Sequence, residues 1–249
     1  MSVTSLHVTN DDCLDLLLQK FWAQECVPVC SPLTADEQAC EDHFVRTYTG
    51  TDSGRFVVRL PFKRGGPLPQ QRLSDSYFRT RSMLLRLEER FKKKPQLQKA
   101  CSEQIKNFEE LNHMVLYEPR SLEQADTNQF FLPHHGVLKE SSSTPELRTV
   151  FNGSAKLRSG VSLNDLLHAG TNLLPHLPDL ICAWQQYKYV FSADIEKMFR
   201  QIAVHQADWK YQSVLWGDNL SLEILIFVLT IVVFGLDCSV FLANRCVKQ

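Results

Sequence analysis

The chain has 249 residues, 44% of them apolar and 22% charged, an ordinary globular composition that excludes wholesale disorder and collagen-like repeats. Twenty-seven lysines and arginines stand against 28 aspartates and glutamates, a net charge of −1, so any contact with nucleic acid has to come from a local patch. With 10 glycines and 11 prolines the chain is no linker, and its length supports a core without covalent staples.

The first residues, MSVTSLHVTNDDCLDLL, lack the basic and apolar regions of a secretory signal. The eight cysteines are therefore expected as free thiols in an intracellular, cytoplasmic setting. Cys26, Cys30, Cys40 and His43 have a spacing that fits no common zinc module. The most apolar window, residues 224–236 (ILIFVLTIVVFGL), falls short of the about 20 residues that a membrane-crossing helix needs. Its β-branched content reads as buried strand turning at Gly235.

In chain order, residues 11–25 read as a helix opened by aspartate, and 34–48 as a second with Thr34 and Glu37 as a capping box. A turn at 50–54 leads into a strand at 55–62. Ser74 is expected to cap a long helix reaching about residue 94, and Pro95 to start another reaching about residue 118. A polar joint, 119–129, divides a mainly helical region, 1–125, from 126–249. Beyond it, short strands (130–139, 147–151, 188–194, 212–216, 224–233) alternate with short helices (163–168, 175–186, 238–246), which predicts an α+β fold. Residues 79–99 hold eight lysines and arginines against Glu88 and Glu89. They read either as a phosphate-tracking surface or as a solvated helix face with cations in its last turn.

The chemistry concentrates in residues 188–216, KYVFSADIEKMFRQIAVHQADWKYQSVLW. The strand YVFSAD delivers Asp194 at its end and the chain turns at once into helix. A carboxylate so placed holds Mg²⁺ in many phosphoryl-transfer sites, and is equally the place of a plain helix cap. Upstream lies FFLPHHGVLKESSSTPELRTVFNGSAK and downstream FGLDCSVFLANR. In this order the segments resemble the fingers and palm of reverse transcriptases, specifically those of Bel/Pao long-terminal-repeat retrotransposons. LLQKFWAQE, LTADEQACEDHFVRTY, GRFVVRLPFK, RLEERFKKKPQL and LPHHGVLKE are similar to successive landmarks of that family's pol polyprotein, so the resemblance spans nearly the whole chain.

The resemblance implies an N-terminal helical region followed by a partial reverse-transcriptase fingers and palm, and descent from an RNA-directed DNA polymerase. Asp194 matches the first catalytic aspartate, a Mg²⁺ ligand, and Ile195 lends its backbone to the metal and triphosphate. Phe199 falls on the ring that stacks under the incoming sugar and clashes with a 2′-hydroxyl. Lys139 and Arg148 match the basic positions that grip the triphosphate. Phe234 and Gly235 match the turn that approaches template and nucleotide, and Gln201 a polar position of the short helix after Asp194. Template-primer, deoxynucleoside triphosphates and the remaining pol segments are the implied partners, with no membrane.

The chain departs from the pattern in three ways. It has no Y-x-D-D hairpin, its one Asp-Asp pair being Asp11–Asp12. Asn152 stands where the family usually has aspartate, and Val240 where it has proline. One strong carboxylate cannot hold two metal ions about 4 Å apart, so the expectation is a pol fragment without polymerase activity of its own. The run 224–234 is expected as sheet with an uncovered edge. The rival reading is a non-enzymatic remnant that binds nucleic acid or a partner through Arg86, Arg90, Lys92, Lys93 and Lys94. Asp52-Ser53-Gly54 matches an aspartic-peptidase triplet, but the apolar strand follows it, which predicts a turn.

Overall fold

The computed structural model describes residues 32–63, 75–117, 129–139, 146–217 and 224–249, with the side chains of Leu138, Lys139 and Glu146 excepted. The helix expected at 11–25, the cap at Ser74, the polar joint and two cysteines of the discounted zinc cluster lie outside these residues. The chain forms two compact units, Met1–Thr34 and Ala35–Gln249. All that follows concerns the second. Its helices and small mixed sheets make an α+β fold.

Helix α1, Ala35–Thr47, turns Cys40 and Phe44 inward, one helical turn apart, with Asp36 and Glu37 in its first turn and Arg46 in its last, charges that complement the helix dipole. Strands β1 (Thr49–Gly50) and β2 (Phe56–Val58) pair antiparallel around the Asp-Ser-Gly triplet. Gly54 sits there at φ +79° and donates its N–H to the Thr51 carbonyl at 2.9 Å. The triplet is a hairpin turn. The strand expected over 55–62 stops at Val58 because Arg59 and Leu60 leave the ladder to bind Asp208.

Helix α2, Ser76–Lys93, buries Thr80, Leu84, Leu87 and Phe91; α3, Pro95–Glu110, buries Leu97, Cys101, Ile105 and Phe108. Both rows follow the three-and-four spacing of a core-facing stripe. Helix α3 ends eight residues before the expected 118. Asn112 takes the left-handed conformation at φ 53°, its N–H meeting the Glu109 carbonyl at 2.9 Å while the His113 N–H reaches the Phe108 carbonyl at 2.8 Å. These crossed bonds close the helix and release β3, Met114–Leu116.

Strands β4 (His134–Lys139) and β5 (Glu146–Phe151) form an antiparallel hairpin. Helix α4, Leu163–Leu166, carries a capping box between Ser162 and Asp165; α5, Leu177–Gln185, buries none of its residues. Strand β6, Ala203–Val204, runs parallel to β2. Strands β7 (Ser213–Trp216) and β8 (Leu225–Leu229) pair antiparallel, and β8 also pairs with β3, giving the order β3-β8-β7. The apolar run expected as sheet over 224–234 is strand only over Leu225–Leu229, where both its edges are paired, so the uncovered edge expected for it is not found there. Beyond it Ile231 makes one isolated bridge to Ala203 and 232–234 join no ladder. Helix α6, Cys238–Val247, closes the chain. The partition expected at 125/126 runs through a single core, since β3 is bonded to β8 and β2 to β6, and buried residues from Cys40 to Cys246 form one cluster.

Among the described residues Cys40, Cys101, Cys182, Cys238 and Cys246 are free thiols, all but Cys182 buried. Burial pushes Cys40 up to about 12 and Cys101 up to about 11. No helix among the described residues is long and apolar enough to cross a membrane.

The two ring nitrogens of His134 are shielded from solvent and have no hydrogen-bond partner among the described residues. The ring lies 5.8 Å from Trp216 and 6.1 Å from Phe151 between centroids, and burial, aided by His135, pushes its pKa down to about 4. Below pH 6.5 the unfolded chain takes this proton while the folded one resists it, so stability is expected to fall between pH 6.5 and 4. The loss from this group is up to about 3 kcal/mol. Urea midpoints of the wild type and His134→Leu at pH 7 and pH 4.5 check this: the variant should lose less on acidification. Equal losses would mean that His134 takes its proton alike in the folded and unfolded chain and that other groups govern acid unfolding.

Candidate functional site

A cavity of about 830 Å³ opens where α3, β5, the turn at 194–200 and the stretch 231–234 meet. Helix α3 contributes Glu103, Asn107 and Phe108 to its wall, and β5 contributes Leu147, Arg148, Thr149 and Phe151. Asp194, Ile195 and Phe199 line it from the turn and Phe234 from the far end. Five residues singled out from the sequence, scattered over β5 and two loops, therefore line one cavity. Three cations (Arg148, Lys197, Arg200) and three carboxylates (Glu103, Asp194, Glu196) face this space.

The strand expected to carry Asp194 does not form. Residues 188–195 have no ladder, and Tyr189 and Phe191 are 71% and 91% exposed. Alternating β-branched and aromatic residues make a strand only where a neighbour accepts the backbone N–H and C=O groups, and none among the described residues pairs with this segment. Asp194 consequently sits on an exposed turn. The helix expected after it is one 3₁₀ turn, Met198–Gln201, entered through Lys197 at φ 51°.

Phe199 and Phe234 meet ring to ring, 4.4 Å between centroids and inclined by 44°. Gly235 fixes the second ring. It lies at φ +107°, and a Cβ there would fall 1.6 Å from the Phe151 carbonyl oxygen. The Phe234 carbonyl accepts the Phe151 N–H and the Gly235 carbonyl accepts the Gly153 N–H, each at 3.2 Å. The amide of Asn164, a residue unremarked in the sequence, ties this turn to the next. Its Nδ2 reaches Ser154 Oγ at 2.8 Å, the Gly235 carbonyl at 3.2 Å and Asp237 Oδ1 at 2.9 Å, while its Oδ1 accepts the Asp237 N–H. Asn152 makes a turn of its own, its Oδ1 accepting the Ser154 N–H at 3.1 Å.

Arg200 is the second residue that sequence reasoning missed. Its Nη2 donates to Asn107 Oδ1 at 2.9 Å and its Nε to His113 Nδ1 at 3.2 Å, and the guanidinium lies 4.2 Å from the Phe108 ring centroid. Desolvation first, then Arg200, Arg55 and Lys197, push His113 down to about 4, which keeps its Nδ1 an acceptor. Arg55 in turn donates to the Arg200 and Gln201 carbonyls, both at 2.9 Å. The signal in the sequence was only a cation between Phe199 and Ile202, compatible with any amphipathic turn.

Lys139 ends β4 opposite Glu146; its side chain is outside the described residues. Gln201 donates to the Glu196 carbonyl at 3.2 Å. Arg86 lines a different hollow. Arg90, Lys92 and Lys93 occupy the last turn of α2 and Lys94 caps it, with Lys92 paired to Glu89 at 2.6 Å across two exposed side chains, a contact worth little. Among the described residues no three His, Cys, Asp or Glu side chains are grouped to hold a metal ion. Asp194 and Glu196 on an exposed turn do not make the ligand set of a two-metal site. No protein-family model matches this chain, and no curated protein matches it.

Proposed function

We propose that this chain is the fingers and first palm segment of an RNA-directed DNA polymerase of the Bel/Pao retrotransposon kind, and that its cavity receives the incoming deoxynucleoside triphosphate. The supporting observation is that Arg148, Asp194, Ile195, Phe199 and Phe234 line one cavity. Arg148 holds the triphosphate by charge-assisted hydrogen bonds. The Phe199–Phe234 pair, fixed from behind by Gly235, packs against the sugar and leaves no room for a 2′-hydroxyl. Arg200, held on three sides, keeps the floor cationic. In the intact polymerase Mg²⁺ supplies charge neutralisation at the phosphates, with Asp194 as one of its ligands. The residues described here do not complete that site.

Equilibrium dialysis with labelled dTTP and UTP tests the reading. The chain is expected to bind dTTP in preference to UTP, Arg148→Ala to weaken both at least about tenfold, and Phe199→Val to erase the preference. Absence of binding, or binding untouched by both changes, overturns the proposal. The chain is further expected to extend no primer with Mg²⁺ or Mn²⁺. Extension abolished by Asp194→Asn would show that Glu196 or another acid completes the site.

A further inference from the structure

We infer that residues 188–194 are a self-association surface: two copies of this chain pair through them, antiparallel, about a two-fold axis at Phe191. The inference stands on this segment and does not rest on the polymerase reading. From 189 to 193 the backbone has no helix, turn or bend. Between 188 and 195 it makes no backbone hydrogen bond among the described residues. A run of the usual strand length therefore keeps its N–H and C=O groups unpaired, the state of an unprotected sheet edge.

The side chains are as uncovered as the backbone. Every residue from 181 to 197 is exposed, and Tyr187 (69%), Tyr189 and Phe191 turn their rings to solvent. These three rings offer on the order of 450 Å² per copy. Helix α5 leads into the segment and buries none of its residues. Its exposed Leu177, Ile181 and Trp184 bring the patch towards the about 800 Å² per partner of a stable interface. Apolar surface of that extent marks an interaction site.

The charges select the occupant and its direction. The segment reads KYVFSAD, with Lys188 at one end, Asp194 at the other and no charge between. Neither side chain has an ion-pair partner among the described residues; Lys188 stands 5.4 Å from the exposed Tyr189 ring centroid. In an antiparallel pair centred on Phe191, Lys188 of each copy falls opposite Asp194 of the other, so the ladder closes with opposite charges at both ends. Residues alternate between faces, which puts Lys188, Val190, Ser192 and Asp194 on one side. On the other the two Phe191 rings meet at the axis, and each Tyr189 lies opposite the small Ala193. A parallel pair in register sets lysine against lysine and aspartate against aspartate, which is unfavourable. A partner of one charge sign satisfies one end alone. A second copy satisfies both, as a two-fold interface requires.

Sedimentation velocity of the full chain over a dilution series tests this. The wild type is expected to pass from monomer to dimer as concentration rises. Lys188→Glu and Asp194→Lys each create two like-charge pairs per dimer, and each should weaken self-association at least about tenfold. Mixing the two single variants restores opposite charges across the pair and should recover dimers to within about threefold of the wild type. The register is read by cross-linking. Phe191→Cys in a Cys182→Ser background should form a disulfide-linked dimer with glutathione disulfide, since the two Cα atoms at the axis lie about 5 Å apart. Tyr187→Cys in the same background should not, its two copies lying roughly 25 Å apart. A chain that stays monomeric at every concentration, whether it then binds phosphatidylcholine vesicles or nothing, overturns the inference. So do larger assemblies indifferent to both charge reversals, a mixture no more dimeric than its components, or equal cross-linking at 187 and 191. The changed side chains are exposed, and rescue by mixing cannot arise from misfolded chains.

Discussion

Gly235→Ala is expected to destabilise the chain by on the order of 4 kcal/mol or more, the range reserved for steric conflict in a core. Two costs add. The residue sits at φ +107°, where an L side chain is strained, and its Cβ would meet the Phe151 carbonyl oxygen at 1.6 Å, against backbone that has no free rotor to move. Relief requires parting the 234–235 turn from the end of β5, which breaks the Phe151–Phe234 and Gly153–Gly235 hydrogen bonds and the Asn164 bonds behind them. Gly54→Ala is the control. Its φ is +79° and a Cβ there meets nothing within 4 Å, so it carries the backbone strain alone, about 1 kcal/mol. Urea midpoints of the two variants separate clash from strain. A Gly235→Ala loss within 1 kcal/mol of the Gly54→Ala loss would mean that the β5 seam yields, and with it the claim that Gly235 fixes the Phe234 ring.

The same seam shows what sequence patterning can and cannot reach. The stripes Leu84-Leu87-Phe91 and Leu97-Cys101-Ile105-Phe108 repeat at helical spacing, so α2 and α3 were legible, and Pro95 marked the joint between them. The hairpin turn at Asp52-Ser53-Gly54 was legible for the same local reason. Where an element ends by a single conformational choice, the pattern is silent: Asn112 in the left-handed region stops α3, and nothing in the hydrophobic spacing beyond it forbids another two turns. Strand 188–194 failed for the opposite reason. Its residues suit a strand, but a strand is a relation between two segments, and the partner is not written in the alternation. The place of β8 between β3 and β7 is likewise a pairing fact.

The site divides along the same line. Arg148, Asp194, Phe199 and Phe234 were reached through motif order, and the fold places them on one cavity, a proximity that spacing along the chain could not establish. Arg200 and Asn164 were out of reach. Their importance lies in what they bond, Asn107 and His113 for one, Gly235 and Asp237 for the other, and those partners are distant in sequence.

Asp208→Ala is expected to be the second severe change, with a loss of about 3 kcal/mol. Its carboxylate is buried, at 3% side-chain exposure, and satisfies three donors. Arg59 grips it through Nε at 2.7 Å and Nη2 at 2.9 Å, and the Leu60 N–H donates at 3.0 Å. Alanine leaves that buried N–H without an acceptor and the guanidinium without its counter-charge. The Arg59 side chain is 37% exposed, so water recovers part of what the guanidinium loses in that variant. Arg59→Ala instead strands the buried carboxylate without its counter-charge and should cost at least as much, about 3 kcal/mol. The clasp joins the end of β2 to the 3₁₀ segment Gln206–Gln212 that leads into β7, and β2 is also the strand against which β6 lies just after the cavity turn. Loosening it should therefore weaken dTTP binding as well as stability. In a double-mutant cycle the two losses should fall short of additive by at least about 1 kcal/mol, because once one partner is gone the other has less to lose. Additive losses, or dTTP affinity unchanged in a folded Asp208→Asn variant, would show that the clasp holds β2 without reaching the turn that carries Asp194 and Phe199.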